Sequence, residues 1–369
     1  MKTVPFTRQE MIDCIEGRPV RRPAVAIGTW IHPDLLSLDK QVRLEKLYED
    51  YPFDMEAFYI KKPATFGQPG ERFCWCDVKD ADPHIGRTKP VGVDEENAIS
   101  WDIYDKISPD IPDPAGVDLF EGWPAPDGRY RMAWLSYGPW SRIWEYRGMT
   151  NSLMDLYTDP DKVKHINDRT MRWFKEVIDQ VAEGRKADAI GFGDDHGMQK
   201  GPFMSPKMFR KFYFPFYKEI CDYAHAKGLH VWLHCCGDAM TLLDQFIEAG
   251  FDVLHPIQKY AMDETEVMEK YGGKIAFWSG MDLQKILPFG TEKDVKNEVH
   301  HLVDTFFAPR KSQTIFTVSN RLEDNVPMEN IEAFIREVYA YTEGTADADA
   351  PGNQATGIDS QEAGLSRGE

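Results

Sequence analysis

The alternation of apolar and polar segments predicts a barrel of parallel strands. From residue 131 onwards, apolar runs typical of strands (RMAWLSYG, ADAIGFGDD, LHVWLHCC, FDVLH, KIAFWSG and QTIFTVS) alternate with segments of helical period. A helix between each pair of strands implies that neighbouring strands run parallel, because each crossover returns the chain to the same end of the sheet. These consecutive strand–helix units, with earlier ones before them, favour a TIM-type (β/α)8 barrel over a doubly wound sheet.

Capping residues indicate where several helices begin. Thr7 and Glu10 form a capping box before a short helix that ends at Gly17, and residues 23–28 are expected to form a strand. A further helix should end near Asp50. The helices predicted after residue 131 cover residues 151–157, 159–184, 206–226, 238–249, 263–271, 291–307 and 327–342.

Two stretches depart from this alternation. Residues 60–130 are rich in Pro, Gly and Asp and lack helical period, which predicts an irregular insertion of the kind that TIM barrels carry above their strands. Residues 343–369 contain almost no large apolar side chains, so we expect a disordered tail. The sequence therefore predicts one barrel domain over residues 1–342, with an N-terminal extension and this insertion, followed by the tail.

Composition narrows the classes of partner. A net charge of -18 and a pI near 5.0 argue against nucleic acids and anionic membrane surfaces. The sequence has no run of about 18 apolar residues that would span a bilayer. The first residues carry charges where a signal peptide needs an apolar run, so we expect a cytoplasmic protein. Six cysteines are too few for a disulfide framework in 369 residues, and no Gly-rich phosphate-binding turn follows a predicted strand.

Polar residues follow the apolar strands at their carboxyl ends, which form the reactive face of a TIM barrel. In chain order they are Asp194, Asp195, His196 and Gln199, then His234, Cys236 and Asp238, then His255 and Gln258, then Asp282, and finally Ser319 and Asn320. The same change from apolar to polar recurs on each strand. Because solvent exposure alone does not require this recurrence, we expect a shared functional face.

His234 and Cys236 are the strongest candidates for metal ligands. Successive side chains of a strand point to opposite faces, so His234 and Cys236 share a face with Trp232, whereas Cys235 lies on the other. A His beside a Cys supplies half of a typical zinc site, and Gly237 lets the chain turn away at once. A hydrogen-bonded core histidine beside a buried thiol is the alternative.

The neighbouring candidates also have structural alternatives. Asp194 and Asp195 alternate faces, so at most one should point into the site from a regular strand, and helix capping or a buried hydrogen-bond network is the alternative. His255 precedes Pro256, which favours an extended backbone and leaves a site role and a structural loop bond both open. Trp30, Trp140 and Trp144 lie in or near predicted loops, where they could line an apolar pocket.

Residues 188–340 resemble the uroporphyrinogen decarboxylase-like superfamily. The run GDDHGMQKGPFMSPKMFRKFYFPFYKEI resembles its DD-x-G-x-Q-x-G and SP-x-x-F segment, and LHCCGD resembles its H-x-C-G-[DN] signature. GFDVLHPIQ, SGMDLQKILPFGT and VPMENIEAF follow in the family's order, and YGPWSRIWEYRGMTNSLMDLYTDP resembles the segment before the long helix. The likeness is weaker over residues 1–130. The resemblance implies a TIM-type barrel.

Two activities compete within that superfamily. Uroporphyrinogen decarboxylases have Met-Arg-Gln-Ala-Gly-Arg near the first strand, which binds the carboxylates of the substrate. This chain has VAIGTWIHPDL there, so a substrate would meet Trp30, His32 and Asp34 instead of arginines. The other branch contains the corrinoid-dependent methyltransferases, in which the His and Cys of H-x-C hold zinc. The resemblance therefore implies that His234 and Cys236 are zinc ligands.

The missing cysteine near the last strand narrows the activity further. Thiol-methylating members of this branch complete their site with a Cys there, whereas this chain has Ser319 and Asn320. The motifs DDHGMQ, HCCGD and LHPIQ resemble relatives that remove a methyl group from a donor such as an aryl methyl ether. The implied function is a zinc-dependent methyltransferase that passes this methyl group to the cobalt of a corrinoid (cobalamin). Methylcobamide:thiol-coenzyme methyltransferase is the alternative, and uroporphyrinogen decarboxylase is less favoured.

The resemblance also implies roles and partners. Asp195, His255 and Asp238 are expected to act in catalysis, as further ligands or by orienting His234. The residues expected to contact the substrate are Asp194, Gln199, Gln258, Trp30, His32, Asp282 and Asn320. The expected partners are a corrinoid-binding protein and a small-molecule methyl donor, and a homo-oligomer is left open. A third possible class of function is a non-enzymatic barrel that handles a corrinoid or binds a ligand. The His, Asp and Cys residues at the strand ends disfavour it.

Overall fold

Eight parallel strands form a nearly closed barrel in the computed structural model of the protein. The structure describes residues 3–27, 36–60, 98–107, 118–184, 186–322 and 324–348. The strands are β1 (Ala24–Val25), β2 (Met55–Tyr59), β3 (Tyr130–Tyr137), β4 (Ala189–Gly193), β5 (His230–His234), β6 (Val253–His255), β7 (Ala276–Met281) and β8 (Thr314–Val318). Their spatial order is β1-β8-β7-β6-β5-β4-β3-β2. The predicted TIM-type (β/α)8 barrel is confirmed.

Helices surround this barrel and connect its strands. They are α1 (Arg8–Ile15), α2 (Leu38–Asp50), α3 (Trp101–Ile107), α4 (Pro139–Arg147), α5 (Met149–Thr158), α6 (Pro160–Glu183), α7 (Pro206–Phe212), α8 (Phe214–Ala226), α9 (Leu243–Ala249), α10 (Glu264–Tyr271), α11 (Ile286–Phe289), α12 (Glu292–Leu302) and α13 (Met328–Ala348). A 3-10 turn at Met240–Leu242 precedes α9, and a π-helical turn at Val303–Phe307 follows α12. Within the described ranges, no helix is long and apolar enough to cross a membrane.

The predicted capping box is confirmed, and several helix bounds differ from the prediction. The Thr7 hydroxyl accepts the Glu10 N–H, and the Glu10 carboxylate accepts the Thr7 N–H. The helix predicted over residues 206–226 is two helices that meet at Tyr213, because Pro215 has no N–H to continue the first one. The last helix, α13, continues past its predicted end at Thr342 into the segment expected to be disordered.

A buried ion pair links the two ends of the sheet, where β1 and β2 meet. The Asp54 carboxylate accepts hydrogen bonds from both terminal nitrogens of Arg22 at 2.6 and 2.7 Å. The same carboxylate accepts the N–H groups of Phe6 and Val25, each at 2.6 Å. The Asp54 N–H in turn donates to the Val25 carbonyl at 2.9 Å. Asp54 and Arg22 are both buried, so these contacts join the edges of the barrel.

Tryptophans fill the barrel interior next to the candidate site. The Trp232 and Trp278 rings are fully buried and pack edge to face, with centroids 5.2 Å apart. The Trp278 indole donates to the Ala26 carbonyl at 3.2 Å, which anchors it across the barrel. Its ring also lies 4.5 Å from that of His255. Strand residues covered on both faces are apolar almost throughout, so the first polar side chains mark the carboxyl ends.

Candidate metal centre

The register of the sheet brings the carboxyl ends of β4, β5 and β6 to the same level. Gly193 is paired with His234, and His234 is paired with His255. Beyond these pairs, the Asp194 N–H donates to the His234 carbonyl at 2.8 Å, and the Cys235 N–H donates to the His255 carbonyl at 2.7 Å. The polar residues that follow the three strands therefore begin at the same height along the barrel.

Asp195, His234 and Cys236 form a cluster whose three ligand atoms all lie within 4.8 Å of one another. The Cys236 Sγ is 3.3 Å from His234 Nε2, and the Asp195 Oδ1 is 3.7 Å from the same nitrogen. Ligand atoms on one tetrahedral zinc ion, with bonds of about 2.0 to 2.3 Å, lie about 3.3 to 3.6 Å apart. The nitrogen, sulfur and oxygen donors are those that zinc binds, and the two spacings from His234 Nε2 are close to this range.

Asp195 reaches this cluster because the loops after β4 and β5 pack backbone against backbone. Its Oδ1 accepts the Cys236 N–H at 2.7 Å, and the Met198 carbonyl accepts the Asp238 N–H at 2.6 Å. Gly237 has a φ of +84°, and a Cβ added there would lie 2.4 Å from the Gly197 backbone. Glycine is thus required at this contact, both for the backbone angle and for the space.

His255 lies behind His234. The two Nδ1 atoms are 2.6 Å apart, and both rings are buried. Burial lowers the pKa of both histidines, that of His255 well below its ordinary value, so both rings are neutral. If His234 Nε2 offers its lone pair to a metal, its proton lies on Nδ1 and His255 Nδ1 accepts it. The backbone of Val318 acts in the opposite direction on His255 and raises its pKa, but by less than burial lowers it.

The half-buried Cys236 sulfur has a second neighbour besides His234. The Asn320 Nδ2 donates to Sγ at 3.4 Å from the loop after β8. Burial raises the pKa of the Cys236 thiol well above its ordinary value, and the Asn320 amide opposes that rise. The amide therefore favours the thiolate, which is the form of cysteine that binds metals.

A cleft of about 470 Å³, open to solvent, borders the cluster on the side of Cys236. It lies over the carboxyl ends of β5 to β8 and is lined by Cys236, Pro256, Gln258, Lys259, Tyr260, Asp282, Leu283, Gln284, Ser319 and Asn320. Four of the predicted site residues therefore share this cleft: Cys236, Gln258, Asp282 and Asn320. Through it, a small molecule can approach the cluster.

Gln258 and Asp282 also hold the walls of the cleft. The Gln258 Oε1 accepts the Gly237 N–H at 2.8 Å. The buried Asp282 carboxylate accepts the Tyr260 hydroxyl at 2.7 Å and the Gln284 N–H at 2.7 Å. The positive Lys285 amine lies 3.9 Å from the centre of the Tyr260 ring. Sequence reasoning overlooked Tyr260, although continuing the strand-end rule two residues beyond Gln258 would have found it.

Asp194 lies away from the metal cluster. Its carboxylate accepts the N–H groups of Trp140 and Ser141 and the Tyr217 hydroxyl, so it caps α4. Burial raises the pKa of the Asp194 carboxyl to about 6. The Tyr217 oxygen also lies 2.5 Å from Nε2 of the buried His196. These contacts match the capping alternative, and the expected substrate contact of Asp194 gains no support from its position.

The other candidates are spread around this face. The Asp238 Oδ1 accepts the Met240 N–H at 3.0 Å, so its side chain starts the 3-10 turn rather than joining the cluster. Gln199 is exposed in the turn between the short antiparallel strands Gly197–Met198 and Gly201–Pro202. Trp140 is buried in α4 against His196 rather than facing a pocket. Trp30 and His32, like residues 61–97 of the predicted insertion, lie outside the described residues.

Comparison with known proteins assigns the chain to a family. The model of the uroporphyrinogen decarboxylase (URO-D) family matches residues 129–341, which is more than half of the chain. A solved methyltransferase from Methanosarcina mazei is 14% identical, with a TM-score of 0.58 over 91% of this chain and 99% of that one. An L-ribulose 3-epimerase is 11% identical, with a TM-score of 0.43 over 95% and 97% of the two chains. Comparison with curated proteins gives no match. The chain belongs to the uroporphyrinogen decarboxylase family, as its motifs indicated.

Proposed function

We propose that the protein is a zinc-dependent methyltransferase that moves a methyl group from a small donor to the cobalt of a corrinoid carried by a partner protein. An aryl methyl ether is the favoured donor. The observation that carries the proposal is the Asp195–His234–Cys236 cluster beside an open cleft. A mixed oxygen, nitrogen and sulfur donor set with three protein ligands is typical of catalytic zinc, which keeps one position for a substrate.

The chemistry explains why such a site suits ether demethylation. An ether oxygen is a poor leaving group, and zinc bound here would act as a Lewis acid on that oxygen while the carbon–oxygen bond breaks. The methyl carbon bonds to the reduced cobalt, which contributes the electron pair. The pair of the broken bond stays on the donor oxygen, which then takes a proton from solvent. The reaction is thus balanced without another oxidant or reductant.

The residues of the chain bind the donor and fix the ligands. Cys236 borders the cleft, so a donor that enters it meets the cluster from that side. Among the described lining residues, Tyr260 supplies an aromatic ring. The Tyr260 hydroxyl donates to the Asp282 carboxylate, which fixes the ring. His255 fixes the ring of His234 from behind. A ligand with its orientation fixed in advance needs no rearrangement when a substrate binds.

Two features favour this activity over its rivals in the family. The chain has Asn320 after β8, where thiol-methylating members have a cysteine, which supports demethylation of a donor over methylation of a thiol coenzyme. The segment VAIGTWIHPDL, which begins at the last residue of β1, has no arginine for the carboxylates of uroporphyrinogen. The family match and the methyltransferase neighbour are consistent with methyl transfer.

Metal analysis combined with a methyl-donor assay tests the proposal. The purified protein should contain about one zinc per chain and should transfer methyl groups from an aryl methyl ether to cob(I)alamin. His234→Ala and Cys236→Ala should lose both zinc and transfer. Cys235→Ala is the matched control, because Cys235 is buried on the other face of the strand and should keep both.

The rival activities give different results in the same assays. Full methyl transfer by a metal-free His234→Ala, Cys236→Ala double variant would contradict the proposal. Methylation of a thiol coenzyme by methylcobalamin would favour the thiol-methylating alternative. Release of carbon dioxide from uroporphyrinogen without zinc would favour the decarboxylase. Tight retention of a ligand without turnover would indicate a binding barrel.

A further inference from the structure

We infer that Asn320 protects the Cys236 sulfur from methylation, so that the methyl group reaches the acceptor instead of the protein. The inference rests on the proposed function and concerns a side reaction that the function creates. Cys236 borders the cleft through which the methyl donor would enter, so its sulfur is within reach of an activated methyl group. Its environment must therefore keep a zinc-binding thiolate from acting as the nucleophile.

Two hydrogen bonds fix the orientation of the Asn320 amide. Its Nδ2 donates to the Cys236 Sγ at 3.4 Å, while its Oδ1 accepts the Arg321 N–H at 2.8 Å. Because a backbone N–H can only donate, the amide oxygen faces Arg321 and the NH2 group faces the sulfur. Asn320 thus presents a donor to Cys236, not an oxygen to a metal. A metal held by the cluster would therefore keep its fourth position for the substrate.

The loop that carries Asn320 is held firmly against β7. The Ser319 hydroxyl donates to the Met281 carbonyl at 2.7 Å. A Cβ added at Gly280 would lie 2.3 Å from the Ser319 Cα, so the two backbones are in direct contact. Only glycine fits there without moving the loop. This packing holds Asn320 next to the Cys236 sulfur, although the two residues are 84 positions apart in the sequence.

The chemistry of the side reaction explains what the amide does. If the Cys236 thiolate attacked the donor, a sulfur–methyl bond would form, the carbon–oxygen bond would break, and the donor oxygen would keep the electron pair. The resulting thioether would be a poor zinc ligand, so each such event would inactivate one site. A hydrogen bond to an ionised acceptor withdraws charge from it, and a less charged sulfur is a weaker nucleophile.

Alkylation of zinc-loaded protein by methyl iodide tests the inference. Asn320→Ala and the near-isosteric Asn320→Asp both remove the N–H donor, and each should increase the rate of Cys236 methylation about tenfold, measured by peptide mass spectrometry. In cobalt(II)-substituted protein, both variants should also shift the thiolate-to-cobalt charge-transfer band. Gln284→Ala is the matched control, because Gln284 lines the same cleft and should leave both readouts unchanged.

The outcomes separate this inference from the proposed function. Unchanged methylation rates and an unchanged band in both Asn320 variants would overturn the protective role, whatever the enzyme does. If the wild-type protein binds no zinc, the proposed function fails, and the alkylation comparison is made on metal-free protein. There the Asn320 amide acts by favouring the thiolate, so both variants should be methylated more slowly than the wild type, and equal rates would overturn the inference. Thermal unfolding of each variant shows whether the variant is folded.

Discussion

At the scale of single residues, the pair His234 and His255 shows how the fold prepares a ligand. The two Nδ1 atoms are 2.6 Å apart, and the histidines are buried and neutral. With a proton on His234 Nδ1, the lone pair of Nε2 faces Cys236 and Asp195. These contacts support a positioning role for His255 through His234, which is one of the two roles expected for it from the sequence.

Replacement of His255 tests this positioning role. In His255→Ala, the His234 ring loses the acceptor that fixes its tautomer and its orientation. We expect zinc affinity to fall by about 10- to 100-fold, the usual effect of removing a partner of a metal-bound histidine, with zinc stoichiometry still near one at saturation. Competition with a chelator measures the affinity.

A second histidine serves as the control for this change. His300 is remote from the cluster and pairs with Glu337 on α13. His300→Ala should therefore leave zinc affinity unchanged. Equal affinities of wild-type protein and His255→Ala would exclude the positioning role. Complete loss of zinc at saturation would indicate instead that His255 is itself a ligand.

At the scale of elements, the contact between the loops after β4 and β5 completes the cluster. In Gly237→Ala, the new Cβ would lie 2.4 Å from the Gly197 backbone at a φ of +84°. The loops must separate, which moves Asp195 away from Cys236, so we expect zinc binding to be lost and unfolding to become easier. Zinc content and thermal unfolding of the purified variant measure the two effects.

The matched control lies at the other end of the same strand. Gly228 precedes β5 with a φ of +77°, but a Cβ there would meet nothing within 4 Å. Gly228→Ala therefore carries only the backbone strain, about 1 to 2 kcal/mol, and should keep its zinc. If Gly237→Ala retained zinc as well as Gly228→Ala, the close loop contact would not be needed for the cluster.

The elements differ in how well the sequence predicts them, for physical reasons. Strands β4 to β8 are buried on both faces, so their apolar runs and polar ends are visible in the sequence. Strand β2 was overlooked because it ends the sheet and contains the half-buried Glu56, which pairs with Arg129 at 2.6 Å. Helix α4 was overlooked because its cap, Asp194, is distant in the sequence.

The candidate site was predictable in part for the same reason. Alternation along β5 is a local property that predicts His234 and Cys236 on one face, and their Nε2 and Sγ atoms lie 3.3 Å apart. The choice between Asp194 and Asp195 depends on how the loop after β4 meets the loop after β5, and Asn320 arrives from β8. Such contacts arise from the register of neighbouring strands, which a single sequence does not encode locally.

At the scale of the whole molecule, β1 and β2 are the two ends of the described sheet, and the seam between them lies across from the metal cluster. In the strand order, β1 is four strands away from β5 on one side, and β2 is three strands away on the other. The buried Asp54–Arg22 pair joins these two edges. We therefore expect that the Asp54–Arg22 pair can be removed without altering the cluster.

Breaking the seam should destabilise the barrel without altering the site. Asp54→Ala leaves the Arg22 guanidinium buried without its carboxylate and frees two backbone N–H groups, so the free energy of unfolding should fall by about 3 to 5 kcal/mol. Asp168→Ala, which removes the exposed Lys164–Asp168 pair, should cost at most about 1 kcal/mol. Denaturant unfolding measures both values, and zinc content below the unfolding transition should stay near one per chain in both variants.

A loss of zinc from folded Asp54→Ala would mean that the seam and the cluster are coupled. The buried Trp278 would then transmit the strain across the barrel, because its indole donates to the Ala26 carbonyl on one side and its ring packs on His255 on the other.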